Sequence, residues 1–106
     1  MHIHGDMIIG RRRVRGAAGS VHAIDPARHA PLQPAFGLAS GAELAAACEL
    51  AEQAFDDYRT LPLERRAGFL EAIADRILDI GPLLIERACQ ESGLPPARFQ
   101  VSTRAS

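Results

Sequence analysis

The sequence predicts a mainly α-helical chain with a short antiparallel β-arm at its amino-terminal end and no doubly wound sheet. Three observations predict it. Apolar residues beyond position 40 recur at spacings of three and four, the period of one helix face. The first forty residues run in short apolar pieces broken by Gly and Pro, as strands and turns do. No Gly-rich turn stands between a strand pattern and a helix pattern, the order a dinucleotide-binding sheet needs.

The arm and its connection occupy residues 1–39. "DMIIG" (Asp6 to Gly10) is a brief apolar run stopped by Gly, and Val14 follows a cluster of Arg. In "GSVHAIDP" (Gly19 to Pro26), Val21, Ala23 and Asp25 alternate with Ser20, His22 and Ile24. Two or three antiparallel strands are expected, with turns near Gly10 and Gly16–Gly19, and so small a sheet needs something to pack against. Pro26, Pro31, Pro34 and Gly37 predict a connecting arm up to Gly41.

Residues 40–94 predict a helical hairpin and a short third helix. Ser40 followed by Glu43 is a capping box. Leu44, Cys48, Ala51, Phe55 and Tyr58 make one stripe of an amphipathic helix that ends at Leu61–Pro62. Phe69, Leu70, Ile73, Ile77 and Leu78 line the second helix, with Glu64, Arg65, Glu71, Asp75, Arg76 and Asp79 opposite. Gly81–Pro82 interrupts, and Leu83, Leu84, Ile85, Ala88 and Cys89 form the third. Gly93 is its left-handed stop and Pro95–Pro96 prevent continuation. Residues 95–106 are a divergent tail.

Composition bounds the function. At 106 residues the chain is one domain or less, with 47% apolar and 24% charged residues, both globular values. A net charge of −1 provides no general attraction to nucleic acid or anionic membranes. All 12 basic residues are Arg, a pattern that fits codon bias. No apolar run is long enough to cross a bilayer and no signal peptide is evident, so the cytoplasm is the expected compartment.

Candidate chemistry is sparse. "RRRVR" (Arg11 to Arg15) reads as a solvated turn between strands, since no aromatic platform accompanies it. His2 and His4 alone make a poor metal site. Gly10, Gly16 and Gly19 do not match a phosphate loop. Asp56 and Asp57 are adjacent and so diverge on a helix. Cys48 and Cys89 both fall on core-facing stripes, where burial would keep the thiols unreactive. No catalytic, cofactor-binding or metal-ligating residue is assigned.

The order of these pieces resembles the amino-terminal region of the aldehyde dehydrogenase superfamily. "DMIIG…VRG…GSVHAIDPA…LQPAFG" precedes "ACELAEQAFDDYR", "LERRAGFLEAIADRI" and "ESGLP". "HAIDPA" (His22 to Ala27) and "PAFG" (Pro34 to Gly37) are most similar to 2-oxoglutarate-semialdehyde (2,5-dioxovalerate) dehydrogenases. Glu91, Ser92 and Gly93 match a Glu-Thr/Ser-Gly element of the family. The similarity runs from about Ile8 to Phe99.

The resemblance implies a parent enzyme that oxidises a semialdehyde to a carboxylic acid with NAD(P) and is usually homo-oligomeric. It also implies that the nucleophilic Cys, the general-base Glu, the oxyanion-holding Asn and the cofactor sheet lie beyond the matched region. Cys48, Cys89 and Glu91 do not align with the family's catalytic groups. The expectation is a fragment inactive alone, with no cofactor of its own. After "ESGLPPARF" the family continues Glu-Gly-Glu-Arg-Gly-Arg, whereas this chain reads "QVSTRAS". One codon choice for residues 100–106, read in a shifted frame, restores Gly-Glu. A truncated or frame-shifted gene remnant is therefore expected. The competing expectation is a free-standing helical interaction module that associates through its exposed apolar face.

Overall fold

The computed structural model describes residues 2–100. Strands β1 (Met7–Ile9) and β2 (Arg12–Val14) form an antiparallel hairpin with Ile8 opposite Arg13. Its turn passes through Gly10 at φ 65°, a left-handed value that glycine adopts without a Cβ penalty.

The chain then departs from the sequence expectation. Beyond Gly19, β3 (Ser20–Val21) pairs with β6 (Phe36–Gly37), and β4 (Ile24–Asp25) pairs with β5 (Ala30–Pro31) nested inside it. Residues 26–41 are thus not simply a connecting arm. The cause is local. Oδ1 of Asp25 accepts from the amides of Ala27 at 2.9 Å and Arg28 at 3.2 Å, an Asx turn that reverses the chain. The prolines are tolerated because a two-stranded pair is all edge.

Helix α1 spans Gly41–Arg59, α2 Leu63–Asp79 and α3 Gly81–Ser92. The capping box at the start of α1 forms as expected: Ser40 Oγ accepts from the Glu43 amide and Glu43 Oε2 from the Ser40 amide. Glu43 Oε1 also accepts from the Ala17 amide at 3.0 Å, tying the helix start to the arm. Pro62 caps α2, and Gly93 closes α3 at φ 72° with its amide bonded to the Cys89 carbonyl. A single 3-10 turn, Pro96–Arg98, follows. The tail expectation concerns residues 101–106 beyond Gln100, which lie outside the described residues.

The helices do not close on one another. α1 packs against β1, and α3 against β4 and the 3-10 turn. The expected hairpin of α1 and α2 is open, with Tyr58 meeting the edge of Phe69 at 5.7 Å near the corner. On α1 the arm rests against the Glu43–Ala47–Leu50 side; a Cβ on Gly10 would sit 3.2 Å from Leu50 Cδ1. The Leu44–Phe55 stripe lies about a quarter turn away and stays uncovered.

Consequently the core is minimal. Among the described residues only Gly5, Ile9 and Asp25 are buried. The radius of gyration is 17.4 Å and the extents are 49 × 46 × 18 Å. A compact chain of this length would have a radius near 13 Å. Its accessible surface is 8684 Å², where a compact protein of this mass exposes roughly 5,800 Å².

Candidate docking surface

Every residue of α2 except Arg66 is exposed. Its composition does not suit that environment. Phe69, Ile73 and Ile77 recur every fourth residue and are 51%, 42% and 50% exposed. Leu63 and Leu70 extend the stripe at 74% and 59%, while Glu64, Glu71, Asp75 and Asp79 lie on the other side. A helix this amphipathic ordinarily buries its apolar stripe. At 17 residues α2 is also close to the length at which isolated helices are marginal in water.

Two shallow apolar clefts continue this face. One, of 330 Å³, is lined by Phe69, Ala72, Ile73, Arg76, Ile77 and Ile80. The next, of 310 Å³, shares Ile77 and passes over Leu78, Leu84 and Ile85 to Phe99. The surface therefore runs unbroken from α2 across the Gly81 corner onto α3. Arg66 lies within the α2 stripe, and its Nε is buried with no hydrogen-bond partner.

The residues singled out in the sequence fall elsewhere. Arg12 and Arg13 sit on the exposed β2, but Arg15 is committed to the arm: it donates to the Ala35 carbonyl at 2.9 Å and faces Asp6 at 3.6 Å. The rings of His2 and His4 meet edge to face at 6.4 Å. Among the described residues no three His, Cys, Asp or Glu side chains gather as a metal group, and no helix is long and apolar enough to cross a membrane. Asp56 pairs with Arg59 at 2.7 Å.

The cysteines are corrected by the structure. Cys48 is exposed and Cys89 only partly covered. Both stripes lie on helices, but burial needs a second surface, and among the described residues none covers Cys48 on the α1 stripe. Sequence periodicity identifies the face that wants cover, not whether cover is present.

The motifs that carry the family resemblance meet in space. A Cβ on Gly93 would lie 3.3 Å from Cγ of Pro26, so "DPA" and "ESG" abut where α3 packs on β4. Arg87 secures the same junction: it donates to Glu91 at 2.8 Å and to the Gln33 carbonyl. Ser92 Oγ donates to the Ala88 carbonyl at 2.6 Å and accepts from the Leu94 amide. The Arg87–Gln33 bond ties α3 to the arm, and the Ser92 bonds close the end of the helix itself. Sequence reasoning finds the two motifs separately; their contact, between Pro26 and Gly93, joins residues 67 positions apart and has no local signal.

Comparison with known proteins agrees with that resemblance. The chain is 52% identical over 101 residues to alpha-ketoglutaric semialdehyde dehydrogenase 2 of Azospirillum brasilense, covering 94% of this chain and 19% of that enzyme. It is 35% identical over 100 residues to the alpha-ketoglutaric semialdehyde dehydrogenase of Acinetobacter baylyi, with the same coverages of 94% and 19%. The chain therefore spans about a fifth of the length of these relatives. No family model matches it. No solved structure matches it either.

Proposed function

We propose, on the premise that this chain is an aldehyde dehydrogenase-related segment, that it is a structural element of a semialdehyde dehydrogenase with no catalysis of its own. The observation that carries the reading is the pair of coverages, 94% of this chain against 19% of its 52%-identical relative. The parent reaction would be oxidation of a semialdehyde to the carboxylic acid, with a nicotinamide dinucleotide accepting the hydride. The fold would be one amino-terminal piece of that enzyme's α/β architecture.

The described residues do not fit such a dinucleotide. A pyrophosphate binds where free helix amides meet a Gly-rich turn. At α1 the amide of Glu43 is already bonded to Ser40, and the Glu43 carboxylate stands where an anion would approach. Pro62 precedes α2 and Pro82 occupies the start of α3. Gly10 turns a β-hairpin, and Gly19 accepts from the Leu38 amide through its carbonyl. Aldehyde oxidation also needs a thiolate, an acceptor beside it and donors for the oxyanion. Here Cys48 is an exposed thiol on the flank of α1, with none of the apparatus around it.

The purified chain is expected to form no NADPH or NADH from 2-oxoglutarate semialdehyde and to give no calorimetric signal with NADP. Turnover that vanishes on Cys48→Ala or Cys89→Ala, in protein freed of host dehydrogenases, would overturn the reading.

A further inference from the structure

We draw no further inference here: the strongest candidate, the 480 Å³ cleft between His2, His4, Phe36 and α3, is flanked by an Arg87 guanidinium whose Nε and Nη1 already bond Glu91 and Gln33 and whose Nη2 is buried, so nothing in the structure specifies a ligand for it.

Discussion

At the scale of single residues, two glycines predict opposite effects. Gly93 holds φ 72° and leaves its would-be Cβ 3.3 Å from Pro26. Gly93→Ala therefore places an L-residue in the left-handed region, at a cost of about 1–2 kcal/mol, and presses on the arm. Gly68 lies inside α2 with nothing within 4 Å of a new Cβ. Gly68→Ala should instead strengthen the helix by about 0.5–1 kcal/mol. Urea titrations followed at 222 nm are expected to move the midpoint down for the first and up for the second. Equal shifts of one sign would contradict the backbone assignment at Gly93. Both residues were visible in the sequence, but only the stop at Gly93 could be read there. Its contact with Pro26 could not, because it joins segments far apart in the chain.

At the scale of elements, the ends of the helices were legible and their partners were not. Ser40–Glu43 specified the start of α1 because a cap is satisfied within four residues. The same carboxylate also accepts from Ala17, a bond no local pattern announces. Ser40→Ala is expected to cost about 1 kcal/mol and to reduce the helical signal while leaving the β1–β2 hairpin resonances in place. Collapse of both together would mean that arm and α1 unfold as one unit. Amide exchange offers a second check. In the isolated chain α2, with all but Arg66 exposed, is expected to exchange faster than α3, which is fastened to the arm by Arg87 and Pro26. Slower exchange in α2 than in α3 would show that its apolar stripe is covered after all.

At the scale of the whole molecule, openness dominates. A radius of gyration of 17.4 Å goes with little buried apolar surface to set against the backbone entropy of ordering the chain. The isolated protein is expected to elute larger than a compact chain of its mass, to bind a hydrophobic dye, and to melt over a broad range. A sharply melting, monodisperse species would favour the free-standing interaction module instead. The aldehyde dehydrogenase relationship bears on the choice, since it supplies a reason for a face this apolar to stand uncovered by the chain's own residues.

What the sequence determined by itself is local or inherited. The helix limits at Ser40, Pro62, Gly81 and Gly93 follow from hydrogen bonds and backbone angles closed within a turn or two. The family resemblance follows from the order of short motifs. The tertiary structure alone decided three things: that residues 26–41 fold back as β5 and β6, that "DPA" and "ESG" meet, and that Cys48 stays exposed while α2 stands free. Each depends on contacts between distant segments, or on their absence. Periodicity records which residues favour burial, but burial is a property of two surfaces, and the second surface over α2 is not among the described residues of this chain.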